Sequence, residues 1–512
     1  MRVAFFISVT LSSALALGAA LLWLRQPSGL DIQASVPGLD DPDGRKAADA
    51  HRRTGQAFVF GELRWTATNS PPGRPSGAWP KFRGPLLNGQ SPQAIPLADA
   101  FPPEGPPRRW ALKLTPGYAG ASVLDGRVYL MDHEEGRGDL LRCLDLHTGA
   151  EIWHTGYRIR IANNHGITRT MPAVTGDYIV TMGPMGQVMC VDTPTGNVRW
   201  GISLPARYGT RDMSGSWYTG QCPLIENDRA IIAPAGTNVL MIAVDCESGD
   251  VLWEAPNPDG WRMSHASITP MTVDGVRMYI YPAIGGVAAV GADGEHGGRV
   301  LWKTDRWTAS VLMPSPVVLS GDRVFLTSGY DGGSALLQVR REPGGTFAID
   351  EIYNFSGKRL SRDCFSTYQQ TPIYHQGHLF GIQSNNARQH RMEFVCVDPA
   401  VDGGGIVWAS GADTDFTSLS KREAWGPYVL ADGKFFVMGD TGKLVVFEAT
   451  TAACRKLGEW QLLENGHEAW GPMTIVDGLL IVRDYENLVC FEIGETGVES
   501  RKPKAESRNL KM

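Results

Sequence analysis

The chain has 512 residues, 43% hydrophobic and 20% charged, with a formal net charge of −6. That hydrophobic share suits a globular protein with a large core and excludes a disordered or fibrous chain. The acidic balance, with no clustered stripe of Lys and Arg, argues against a nucleic-acid surface.

Val3 to Leu24 is an almost unbroken uncharged apolar run between Arg2 and Arg25. About 20 apolar residues suffice to span a bilayer, and secretory h-regions are shorter. Residues 1–25 are therefore expected to be a signal anchor, with a cleaved signal peptide as the alternative. The body is then exported, periplasmic or extracytoplasmic at the cell envelope, and anchored through this segment. No cysteine lies in or just after the run, which speaks against lipoprotein attachment. Residues 26–107 are rich in Pro, Gly, Asp and Arg without sustained periodicity and read as a flexible linker. Its last part carries a Trp-Pro-Lys-Phe-Arg-Gly-Pro leader starting at Trp79.

From residue 108 onward one phrase recurs: an aspartate, a turn ending in glycine, then a tryptophan four residues on. It runs Asp145, Gly149, Trp153, then Asp192, Gly196, Trp200, and then Asp245, Gly249, Trp253. Weaker copies place Gly298 before Trp302 and Gly404 before Trp408. A period of roughly 45–55 residues with β-rich sequence between copies is the signature of a propeller with four strands per blade. Each repeat opens on a small residue or proline: Ala121, Pro172, Pro223, Pro270, Pro316, Pro372, Pro427 and Pro472. Only seven outer strands follow these eight openings, around Trp153, Trp200, Trp253, Trp302, Tyr353, Trp408 and Trp460. The missing one is Arg109–Leu114, before the first opening. The expected fold is all-β: an eight-bladed β-propeller of four-stranded blades over 108–494, closed by pairing of the N-terminal strand into the last blade. The polar tail 495–512 is expected to be disordered.

Cys143, Cys190, Cys396 and Cys490 each stand two residues before the acidic residue of their turn. Equivalent positions in separate blades imply equivalent inter-blade packing, so these read as small buried hydrophobes. Cys222, Cys246, Cys364 and Cys454 offer pairing options that sequence does not assign.

The segments leading into the innermost strands are rich in polar and aromatic residues. A propeller returns every inner strand to one axis, so distant residues can share a funnel. Arg169, Trp217, His265, Tyr368, Glu423, Trp425, Glu468 and Trp470 are the ligand-binding candidates. The bland alternative is that the repeated Glu-Ala-Trp-Gly-Pro phrase at 423–427 and 468–472 is shared packing. No catalytic residue or metal ligand is assigned.

The turn-Trp phrase, the small-residue–Pro openings and the closure resemble the pyrroloquinoline-quinone-like (PQQ-like) propeller repeats of quinoprotein dehydrogenases and of the outer-membrane assembly (BamB-like) propeller. Trp79 to Ser91 is similar to the leader of an uncharacterised exported bacterial branch of such propellers. The resemblance implies a propeller fold and leaves pyrroloquinoline quinone and calcium open as cofactors that no specific motif supports. The catalytic quinoproteins share an adjacent Cys-Cys pair, which this chain lacks. The expectation is therefore a binding or scaffold module at the cell envelope, monomeric, with a protein or polymer partner or a small ligand in the funnel. The alternative is a quinone-dependent alcohol or sugar oxidoreductase.

Overall fold

The computed structural model describes residues 58–68, 76–92, 95–211, 217–357, 364–411, 426–463, 466 and 468–495. The apolar run Val3–Leu24, the tail 496–512, and Glu423 and Trp425 lie outside the described residues. No described helix is long and apolar enough to cross a membrane.

Eight sheets follow one another along the chain, each with a set of four antiparallel strands that are consecutive in all but the last. That last sheet takes Thr474–Val476, Leu479–Arg483 and Asn487–Glu492 from the C-terminal end and Arg108–Lys113 from the other. Trp110 pairs with Cys490 and Lys113 with Asn487, so the termini close the ring as the repeat count requires. Closure removes the free edges that an open ring would leave as templates for aggregation.

The recurring phrase holds neighbouring blades together. Asp145 accepts the amides of His147 (3.1 Å) and Thr148 (2.9 Å) within its turn. The glycine ending the turn serves two needs. At Gly196 φ is 69°, and a Cβ there would lie 2.7 Å from Trp153 of the preceding blade. Gly249 faces Trp200 at the same distance, with φ 78°. The indole of one blade thus lies flat on the bare turn of the next, which only glycine permits. The indole N–H often completes the contact: Trp110 donates to Leu146 O (2.8 Å), Trp200 to Cys246 O (2.9 Å) and Trp253 to Ala292 O (3.1 Å).

A second belt runs round the axis at the openings. The amide of Met171 donates to Cys222 Sγ (3.2 Å), Cys222 to Ser267 Oγ (3.0 Å), Ser267 to Ser315 Oγ (2.9 Å) and Ser315 to Thr371 Oγ1 (2.9 Å). Each small polar side chain pairs a buried amide of the preceding blade, which would otherwise be left unpaired at a cost of about 1–3 kcal/mol. The belt corrects one opening. Pro270 lies within the strand Thr269–Val273, and Ser267 is the residue equivalent to Cys222 and Ser315.

None of the eight cysteines is in a disulfide, and seven are buried. Cys143, Cys190, Cys396 and Cys490 are core residues, as their repeat position suggested.

The flexible-linker reading of 26–107 does not hold for the described part of that range. Leu63–Thr66 adds a fifth strand to the first blade by pairing with Glu151–Arg158. Trp79, only 2% exposed, bridges Val123, and Pro80 O accepts the amide of Val174. Arg83 donates to Leu87 O, Thr371 O and Pro372 O, each at 3.0 Å. Gln90–Ser91 pairs in parallel with Leu430–Ala431, and Ser91 Oγ donates to Ile475 O (2.7 Å). Gly77 N and Leu97 N bond Asp477 and Asp432, which sit in hairpin turns. The leader is therefore a strap across the end of the channel where those turns lie. Two voids of about 10 and 30 Å³ remain around Phe82 and Arg83, room for about one or two waters. Composition hid this because a strap has no helix or strand period. Its order comes from side chains reaching several blades.

Candidate functional site

Each outer strand returns to the axis through a loop at the opposite end from the strap. This end is the channel mouth, where the sequence-derived candidates belong.

Tyr118, in the first such segment, is the centre of the arrangement. The amide of Tyr118 bonds Thr168 O (2.6 Å), and Ile167 N bonds Pro116 O (2.8 Å), zipping the first two blades together. His165 and Gly166 carry φ of 55° and 75°, and this turn lets the loop lie against the Tyr118 ring. Trp470 stacks on that ring with centroids 5.1 Å apart and planes at 27°, and the Arg169 guanidinium lies 5.8 Å from its centroid. The Tyr118 hydroxyl donates to Glu468, and the Trp470 indole donates to Asp440. Burial and then the Glu468 carboxylate push the Tyr118 phenol far above its usual range. It therefore stays protonated and donating.

Arg169 spends one terminal nitrogen on the carbonyls of Asn164 (3.0 Å), His165 (2.8 Å) and Gly166 (3.4 Å). Burial lowers its pKa, with nearby tyrosines and Glu468 opposing. On the neighbouring blades, the Trp217 ring lies 6.1 Å from His265. His265 is held by its amide bond to Leu312 O (3.0 Å), and its pKa falls to about 3 through burial and then the Arg169 charge. The imidazole is neutral at ordinary pH.

Five of the eight candidates thus meet in one network: Arg169, Trp217, His265, Glu468 and Trp470. Tyr368 is buried on the other side of the ring, with its described ring contact to Tyr330 (4.9 Å), while its neighbour Gln370 reaches Trp470 O (3.1 Å). Glu468 and Trp470 are 5% and 6% exposed and bonded within the protein, so they build the wall of the mouth. Sequence reasoning missed Tyr118, which lies between the closing strand and the first opening. Its place just before Ala121, where the last two blades carry Ala-Trp-Gly-Pro, was the available signal.

A quinone seated with calcium requires a face to stack on and several free carboxylates. Here the stacking faces of Tyr118 and Trp470 meet each other, and Glu468 is taken by Tyr118. No group of three or more His, Cys, Asp or Glu that could hold a metal occurs among the described residues. The described mouth residues do not fit that cofactor pair.

Among solved structures, the chain is similar to quinohemoprotein alcohol dehydrogenase from Comamonas testosteroni, at 13% identity and TM-score 0.54, covering 88% of this chain and 84% of that one. It is similar to quinohemoprotein alcohol dehydrogenase ADHIIG from Pseudomonas putida HK5, at 14% identity and TM-score 0.51, covering 82% and 80%. BamB from Moraxella catarrhalis matches at 12% identity and TM-score 0.48, covering 76% and 99%. At such identities the likeness concerns the fold alone. No curated protein matches the chain. A family profile described as outer membrane protein assembly factor BamB matches residues 136–400, more than half the chain. With the repeat, the closure and this match together, the chain belongs to that PQQ-like β-propeller family.

Proposed function

We propose that this protein is a binding propeller of the cell envelope that docks a protein partner on the mouth face of its ring. The observation that carries the reading is the unequal treatment of the two channel ends. The chain's own leader straps the turn end, burying Trp79 and bonding Arg83 to three carbonyls. The mouth instead presents a wall of aromatic and cationic groups, with exposed Arg160, Asn163, His165, Arg262 and Arg306 around it. Arg and aromatic side chains of this kind are enriched where proteins bind one another. The family description supports an assembly role of this class. Envelope placement rests on the apolar run at Val3–Leu24 and on that same family.

The test is charge reversal on the mouth. Arg262→Glu with Arg306→Glu, in protein purified from its own envelope under mild conditions, should lose the co-purifying partner while melting unchanged. Reversal of exposed turn-end charge, Asp228→Lys with Asp274→Lys, should keep it. A partner lost from the second variant and kept by the first would overturn the assignment.

A further inference from the structure

Three consecutive blades each carry an unpartnered buried nitrogen in their mouth segments. Arg169 Nε, Trp217 Nε1 and His265 Nε2 are buried atoms without a hydrogen-bond partner. They belong together: the Trp217 and His265 rings are 6.1 Å apart, and the Arg169 charge acts on His265. The three nitrogens are buried, His265 is only 8% exposed, and Arg169 and Trp217 are partly buried beside it. Buried polar groups are almost always paired, and three orphans grouped in this way call for a common acceptor.

The charge balance says what kind. Among the described residues no carboxylate lies within ion-pair distance of Arg169, and nearby Glu468 already accepts the Tyr118 hydroxyl. His265 is neutral there, so the group's charge is that of Arg169, opposed through space by Glu468 but by no ion pair among the described residues. A buried cation without an ion-pair partner is costly, and a ligand bearing one negative charge reduces that cost. One terminal nitrogen of Arg169, Nη2, is committed to backbone carbonyls, which leaves Nε–H as its buried unpaired donor. A neutral imidazole can donate from Nε2 and an indole donates from Nε1, so all three nitrogens can act as donors. Three donors around one guanidinium match a carboxylate, whose two oxygens accept several bonds. A phosphate dianion would leave an excess negative charge in the wall.

We infer that Arg169, Trp217 and His265 form a carboxylate-binding site, which on the binding reading above takes a carboxylate from the docked partner. The same chemistry could come from a free small carboxylate, and the test separates the two sources. The purified full chain is titrated with sodium acetate against sodium chloride at constant ionic strength, by calorimetry and by melting. It is then titrated with the peptide Gly-Gly-Ala bearing a free C-terminus and with its C-terminal amide.

Acetate should bind and raise the melting temperature where chloride does not, and the free peptide should bind where the amide does not. Trp217→Phe keeps the ring and removes one N–H, so it should weaken acetate about tenfold. Arg169→Lys keeps the charge and loses the Nε–H, and should weaken it at least as much. If that variant fails to fold, Trp217→Phe carries the test alone. Acetate binding without peptide binding keeps the site and assigns it to a free carboxylate. No acetate effect beyond chloride, or acetate bound equally by wild type and Trp217→Phe, overturns the site. Either negative result leaves the partner reading standing, because charge reversal at Arg262 and Arg306 tests that separately.

Discussion

Replacing Arg83 by methionine tests whether the leader is structural. Arg83 makes three bonds of 3.0 Å to carbonyls of its own strap and of the sixth blade. Bonds from a charged donor contribute about 1.5–3 kcal/mol each. Burial works against them and pulls the guanidinium down to about 10, so part of that gain is lost to desolvation. Methionine fills a similar volume but leaves three carbonyls unpaired around small voids. The net loss should be about 3–5 kcal/mol, from about 1–3 kcal/mol for each carbonyl left unpaired less the desolvation regained. A ring of this size unfolds with roughly 0.8 kcal/mol per kelvin of entropy, so the melting midpoint should fall by about 5 °C. Calorimetry on the purified wild type and Arg83→Met measures it directly. An unchanged midpoint would show that the strap does not contribute to the stability of the ring and would refute the reasoning.

Other consequences follow from the mouth and the closure. Folded protein keeps His265 neutral down to about pH 3, whereas the unfolded chain takes up that proton below about 6.5. Stability should therefore fall as pH drops through that window, by on the order of 5 kcal/mol from this group, and His265→Asn should flatten the slope in urea titrations at each pH. Tyr118→Phe and Glu468→Ala should each cost about 1–3 kcal/mol, with the double variant costing less than their sum because they remove one shared bond. A chain starting at residue 120 loses the strand Arg108–Lys113 and should be insoluble. A soluble form melting like the whole protein would contradict the closure.

Much of the ring was legible in the sequence because its rules are local and repeated. Gly196 and Trp153 announce the same contact as Gly249 and Trp200, and a missing outer strand can be counted. The belt was half visible: small residues before proline marked the openings, but nothing in the sequence said that Ser267 rather than Pro270 occupies the shared position. The strap was invisible because Trp79, Arg83 and Ser91 each find partners hundreds of residues away, and irregular sequence carries no record of such contacts. At the mouth, residue type identified Arg169, Trp217 and His265 as candidates. Only coordinates show that Glu468 and Trp470 are spent on Tyr118 and Asp440.

The central claim is that the mouth face receives a protein partner. Photo-crosslinking amino acids placed singly at exposed Asn163 and Arg262 on the mouth, and at exposed Asp228 and Asp274 on the turn end, test it in intact cells. The account predicts one discrete crosslinked protein from the two mouth positions and none from the turn-end pair. Crosslinks from Asp228 and Asp274 with a silent mouth would contradict it.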